Sequence, residues 1–298
     1  MKQPTAGPHR VIWNYMPKKL SIDPAGNVPR FAAVAAALLI CATAASGAPK
    51  KPKKAPPPDD LPTQVSKLAR QLWGVPLDES EPLTSQVEKL VLDHMTQWIN
   101  AHPPDADSAV KAGNTPYNEK LRHEVESVFA NVRNPNYATA STFLQSLRGK
   151  PVVGVGYTLG WSDFDRANVV ALFEANDGGY QQMAVSHFVP HTDLNFQFLQ
   201  PPIGVSDQLW FLAYGTRLGK SSPRLSAMLY TFDGKALQSL WRTTDVYDGR
   251  ISFVGGRVMI SYLKEDELRQ AILDHTPAMR HEAAYQVRPK GLEVQYDR

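Results

Sequence analysis

Two hydrophobic rhythms divide the chain. Between residues 61 and 135 apolar side chains recur three and four positions apart; from 136 onward they gather into short runs broken by turn residues. Val65, Leu68, Ala69 and Leu72 form one helical stripe. Val87, Leu90, Val91, Met95, Trp98 and Ile99 form a longer one, with Thr84 or Ser85 placed as N-cap. Leu121, Val125, Val128 and Phe129 make a third, with Pro135 soon after it. Helices this short and one-sided cannot bury their stripes alone, so they must pack on one another or cover something else.

The second rhythm centres on Gln208 to Trp241. Leu209 to Tyr214 is a continuous apolar run, as in a strand buried on both faces; Leu225 to Phe232 follows, closed by Asp233-Gly234, a hairpin signal. The same order of elements recurs on either side. Second strands are expected at 152–157, 209–214 and 258–262, third strands at 168–173, 225–232 and 283–287, and fourth strands at 180–185, 236–241 and 292–296. Three landmarks keep step: Phe143, Phe198 and Phe253; Tyr157, Tyr214 and Tyr262; Gly178, Gly234 and Gly291. An insertion of helical composition, Glu265 to Asp274, interrupts the third unit. The fold class that follows is α+β: N-terminal amphipathic helices, then a mainly antiparallel β region of about three four-stranded meanders, propeller-like but incomplete. A twisted antiparallel sandwich is the alternative. Closed propellers need about four blades, so the helices, or a second copy of the chain, are expected to cover the open side.

The first sixty residues obey neither rhythm. Phe31 to Ala45 is apolar, follows Lys18, Lys19 and Arg30, and leads into small residues: the layout of a secretory signal. The expected organisation is a leader over 1–48 with its apolar core at 31–45, a Pro/Lys-rich linker over 49–60, a helical segment over 61–135 and the β region over 136–298. Met16, followed by Pro17, Lys18 and Lys19, would make a more ordinary start than Met1. Leu38-Leu39-Ile40-Cys41 resembles a bacterial lipoprotein box, but Ile40 stands where that family needs a small residue. An uncleaved anchor is the other alternative, although the apolar run falls short of the roughly 20 residues a spanning helix needs. Export to the periplasm or beyond is the expectation, with membrane attachment only through an uncleaved leader.

Charge and cysteine content remove several function classes. The net charge of +3 comes from the leader and linker; residues 61–298 hold 23 basic and 26 acidic side chains. A mildly acidic folded part offers phosphates no general attraction, so nucleic acid is not an expected partner. Cys41 is the only cysteine, which excludes an intrachain disulfide or a thiolate zinc site. Glycine-rich phosphate loops, G-x-S-x-G elbows and HExxH pairs are missing, Gly154-Val155-Gly156 lacking the further glycine of a dinucleotide fold. No cofactor is expected.

The candidate chemistry lies in the connections. Trp161, Asp163 and Asp165 form the candidate binding loop; Asp163-x-Asp165 resembles a calcium loop, but Arg166 and Ala167 stand where a further acid and glycine belong. His187 and His191 are weak metal candidates. Ser186-His187 is a sequence neighbour pair, not an apposed nucleophile and base. His94, His102 and His123 are expected on different helices without a close pair and read as surface or packing residues, Trp210 and Trp241 as packing between sheets, and His275, His281 and Glu282 as exposed loop residues. No catalytic residue is assigned. The functional expectation is a non-enzymatic exported binding module that presents loops to an envelope protein or polymer. Two alternatives remain: an extracytoplasmic hydrolase using loop carboxylates or histidines, and a structural homo-oligomer joined through open sheet edges.

Overall fold

Three four-stranded antiparallel meanders stand face to face, with three helices against the outer face of the first. The computed structural model describes residues 59–72, 74–105, 116–132, 139–159, 168–188, 192–205, 207–217 and 223–298. The leader, nearly all of the linker and the loop over 160–167 lie outside the described residues.

The helices are α1 (Leu61–Leu72), α2 (Glu81–Ala101) and α3 (Pro116–Val128). The first sheet holds β1 (Thr139–Leu147), β2 (Lys150–Thr158), β3 (Val169–Asn176) and β4 (Gly179–His187). The second holds β5 (Thr192–Phe198), β6 (Leu209–Arg217), β7 (Arg224–Phe232) and β8 (Leu237–Tyr247). The third holds β9 (Arg250–Val254), β10 (Arg257–Leu263), β11 (Arg280–Arg288) and β12 (Gly291–Asp297), with helix α4 (Glu265–Leu273) inserted between β10 and β11. Strands pair in chain order within each sheet, so short connections suffice. The architecture is therefore α+β with three antiparallel meanders. Each sheet is open, with β1, β5 and β9 on one set of edges and β4, β8 and β12 on the other.

Alternation along each strand explains the layering. Val153, Val155, Tyr157, Ala171 and Phe173 point to the helices, where they meet Val91, Met95, Ile99, Leu121 and Val125. The intervening Val152, Val170 and Leu172 point to the second sheet and meet Phe211, Ala213, Tyr230 and Phe232. Two buried faces require a continuous apolar run, and β2 and β3 have one. Trp210, Leu212, Leu225 and Leu229 continue the stack onto Val258, Ile260 and Leu292 of the third sheet. The far face of that sheet is mixed, setting Ser252, Arg257, Ser261 and Gln286 among Met259, Ala284 and an exposed Val254, with no continuous apolar run. The helices accordingly cover the one outer face that is apolar. Each buried aliphatic side chain there contributes roughly 1.5–3 kcal/mol, more than any exposed ion pair on the helices.

Two local expectations change. Helix α2 starts at Glu81 rather than after Thr84 or Ser85, with Ser80 at the cap position and Pro82 in the first turn, where its missing N–H costs nothing. Thr84 is thereby inside the helix, and its hydroxyl donates back to the Glu81 carbonyl at 3.0 Å. The counted glycines do mark equivalent turns, Gly178, Gly234 and Gly291 each falling at the hairpin between third and fourth strands, but the aromatic landmarks do not all face alike. Phe143 of the first sheet and Phe198 of the second face each other, ring centroids 4.9 Å apart, whereas copies in a stack would face the same way. Tyr157 points back to the helices, while Tyr214 points forward to Phe253. The meander and its hairpin glycines recur three times; the facing of the counted aromatics does not.

Candidate functional site

The richest convergence of polar side chains lies between the second and third sheets, beside α4. Here Arg224, Tyr247, Tyr262, Tyr285, Glu265 and Asp297 line a cleft of about 360 Å³, with Val246, Ile260 and Leu263 as its apolar wall. That volume is within the range that accommodates small ligands. Strand geometry builds it: Tyr262 and its cross-strand neighbour His281 point to the same face, and α4 follows β10 at once, setting Glu265 and Glu267 over that face.

The groups in and around the cleft are engaged with one another. Tyr262 donates its hydroxyl to Asp297 Oδ1 at 2.6 Å. Burial first, and then this hydrogen bond to a carboxylate, push the Tyr262 phenol up to about 12. Burial also raises Tyr285. Arg224 lies 5.2 Å over the Tyr247 ring and 3.6 Å from Glu265. His281 Nε2 meets Glu267 Oε2 at 2.5 Å, and that bond holds the Glu267 carboxyl below its ordinary value. Arg280 bridges Asp248 and Ser261, its Nε donating to the Ser261 hydroxyl at 3.0 Å.

This pairing bears on chemistry. His281 with Glu267 has the form of an oriented base, but the nearest serine in sequence, Ser261, points to the opposite face of β10 and accepts from Arg280. A nucleophile, base and orienting acid in one line are what acyl transfer needs; these residues do not form that line. The same holds at Ser186 and His187. The Ser186 hydroxyl is 3.1 Å from the Tyr230 hydroxyl in the second sheet, while His187 turns the other way to Glu88 on α2, at 2.7 Å. Alternation separates them. No group of three or more histidine, cysteine or carboxylate side chains suited to a metal occurs among the described residues.

The residues singled out in the sequence scatter. Trp161, Asp163, Asp165 and His191 lie outside the described residues, and His187 is committed to Glu88. His94 bonds Glu124 at 2.7 Å, tying α2 to α3; His102 stacks on Trp98 at 4.6 Å, and His123 meets Glu126 at 3.3 Å. Trp210 is buried between sheets, and Trp241 packs on Tyr285 at 5.6 Å, both as expected. His281 corrects an expectation. It is not an exposed loop residue but is buried at the start of β11, because the strand begins at Arg280 and period two sends the next side chain inward. Alternation in His281, Ala283 and Tyr285 was the available signal, obscured by the nearby Pro277.

A scan against models of protein families finds no match, and a search of curated proteins finds none either.

Proposed function

We propose that the chain is an exported, non-enzymatic binding module whose meander scaffold presents a cleft and its neighbouring loops to an envelope protein or polymer. The carrying observation is the mutual engagement of Tyr262 with Asp297 and Arg224 with Glu265 at the cleft. Groups held in pairs offer directed hydrogen bonds and flat rings, suited to recognition, and leave no free nucleophile beside a base. Topology adds a second support. By chain order, the connection from second to third strand contains Trp161, Asp163 and Asp165 in the first meander and α4 in the third. Read this way, the stack is an open array of propeller-like blades, with the helices in place of a further blade and the loop end as the binding end. The basic linker and the apolar leader support export.

The test uses the purified full-length chain. Co-sedimentation with insoluble cell-wall polymer, and with membranes bearing envelope proteins, is expected to retain the chain in one of the two. Replacing Arg224 with Ala and Tyr262 with Phe together is expected to weaken retention at least tenfold. A parallel screen on peptide, ester and glycan substrates, with and without chelator, is expected to show no turnover. Turnover lost on His281→Asn would replace this reading with a hydrolase. Retention in neither fraction, with dimers or larger species in light scattering, would replace it with a structural oligomer.

A further inference from the structure

We propose that the unpaired edges of β1 and β5 form a docking groove for an extended polypeptide segment, which adds to the array as a further strand. The groove is separate from the tyrosine-lined cleft, so it stands or falls independently of that site.

The inference begins with which backbone groups point outward. β1 and β5 each lead a sheet, leaving one edge without a partner strand among the described residues. In the β1–β2 hairpin, Leu147 pairs with Lys150 across a two-residue turn, Arg148-Gly149, in which both φ values are positive (52° and 77°). Such a turn is closed by a hydrogen-bonded pair, and bonded pairs alternate along an antiparallel ladder. Gln145, Phe143 and Ser141 therefore bond to β2, while the N–H and C=O of Leu144 and Thr142 point away from it. In β5, the Leu199 N–H just past the strand end donates to the Trp210 carbonyl at 2.9 Å. By the same alternation Gln197 and Asn195 bond to β6, and the backbone groups of Phe198 and Phe196 point outward, the Phe198 carbonyl accepting from the Gln197 side-chain amide at 3.0 Å.

These outward groups meet one cleft of about 460 Å³, lined by residues 141–145 of β1 and 195–198 of β5, with Asn118 of α3 beside them. The unbroken runs are informative. A cavity on a sheet face touches every second residue of a strand; one that touches every residue lies along the edge, against the backbone. Outward donors and acceptors at strand spacing are what an extended chain satisfies, and the half-buried Phe196 and Phe198 provide apolar contact for its side chains. No charged side chain lines the cleft, so the segment it fits is uncharged.

Edge protection supplies an independent observation. Proteins blunt open edges with charges, proline, bulges or a cover. Here β12 carries Glu293 and Asp297, and β8 carries Arg242 and two register shifts. The β4 edge is met by Asn100 of α2, whose side chain bonds both the N–H and C=O of Tyr180, at 2.7 and 2.8 Å. β1, by contrast, reads TASTFLQSL, with neither charge nor proline, and pairs with β2 without a shift.

The test is selection of a random linear peptide library against the full-length chain, followed by synthesis of an enriched peptide. On binding, hydrogen exchange is expected to slow at the amides of Thr142 and Leu144, while the already bonded amides of Phe143 and Gln145 change little. N-methylation of alternate peptide residues should weaken binding about tenfold or more, the loss of one to two backbone hydrogen bonds. Thr142→Pro removes one outward N–H without touching the ladder and should weaken binding about as much. Thr142→Val, which keeps that N–H but loses the hydroxyl bond to the Asn118 carbonyl (2.9 Å), should bind as the unaltered chain does. Failure to enrich any peptide, unchanged binding after N-methylation on both parities, or light scattering that shows a dimer with these amides already protected would each overturn the proposal. The peptide modification keeps the test decisive even if Thr142→Pro does not fold.

Discussion

The ring of Phe143 lies over its cross-strand neighbour Gly154, so near that a methyl group on that glycine would fall 2.1 Å from the ring edge. Gly156, two residues on, makes the same room for Phe196 of the second sheet, whose ring would be 2.6 Å away. The Gly154-Val155-Gly156 sequence is thus a floor for two aromatic rings at the junction of two sheets. Phe143 cannot swing aside, because Phe196, Phe198 and Phe211 surround it with centroids within 5.3 Å.

Gly154→Ala is therefore expected to cost about 1–3 kcal/mol, as overpacking does, and to lower the melting temperature by roughly 2–4 °C per kcal/mol. Phe143→Ala alone should cost about 3 kcal/mol or more. The double variant should fall short of the summed costs by roughly 1 kcal/mol, because the methyl group then occupies space the ring has left. Urea denaturation of the four proteins measures this, and additive costs would show that ring and glycine do not share the space.

Asn100 makes the second testable joint. Its amide replaces a strand partner for Tyr180, and a Cβ on Gly179 would fall 2.3 Å from its Oδ1. Asn100→Ala is expected to cost about 1–2 kcal/mol, discounted because the residue is exposed and water can substitute. The Tyr180 amide should exchange faster, with little change at Phe173 in the buried strand beside it. Asn100→Asp keeps the acceptor and loses the donor, so it should lie between. Equal exchange at Tyr180 in all three proteins would count against the joint.

How much of this was legible in the sequence depends on period and distance. Helical stripes and paired runs were readable, because each reports its own burial: α1, α2, α3, the insertion helix and all nine expected second, third and fourth strands are present. Facing was not readable. A single residue of offset sends a side chain to the other face, which is why Phe143 and Phe198 oppose one another while spaced like copies. The cleft was illegible for a related reason. Tyr262, Tyr285 and Asp297 are spread over three strands, Glu265 sits on the helical insertion, and Arg224 and Tyr247 come from the second sheet. They meet only through the register of β10 on β11 and β11 on β12 and the packing of one sheet on the other.

The turn between β7 and β8 gives an acid-side prediction. Asp233 Oδ1 accepts from the backbone N–H groups of Lys235 and Ala236, each at 2.8 Å, and these bonds, Ala236 first, hold its carboxyl below the ordinary value of 3.8. A depressed folded value means stability present above the unfolded value and lost as pH falls through the folded one. Asp233→Ala should cost about 1–2 kcal/mol at neutral pH. The difference should shrink once pH drops below about 4. Thermal melts of the two proteins from neutral pH downward check this; a constant gap would mean that the carboxylate charge plays no part in the turn.

Tyr262 gives the opposite sign at the alkaline end. Burial, followed by its bond to Asp297, moves its hydroxyl from 10.0 to about 12. Between those values the unfolded chain has lost a proton that the folded chain keeps, so stability must fall as pH rises through that window. Tyr262→Phe removes the term. At neutral pH it should cost about 1 kcal/mol, the bond to Asp297, yet its stability should decline less steeply than that of the unaltered chain above pH 10. Tyr230, also raised to about 12 by burial, remains in the variant and preserves part of the slope. Tyr117, Tyr157, Tyr180, Tyr214 and Tyr285, raised by burial as well, also remain, so it is the difference in urea midpoints between the two proteins across this range that reports Tyr262. Parallel slopes would mean that Tyr262 titrates as an ordinary phenol and that its carboxylate partner does not hold it.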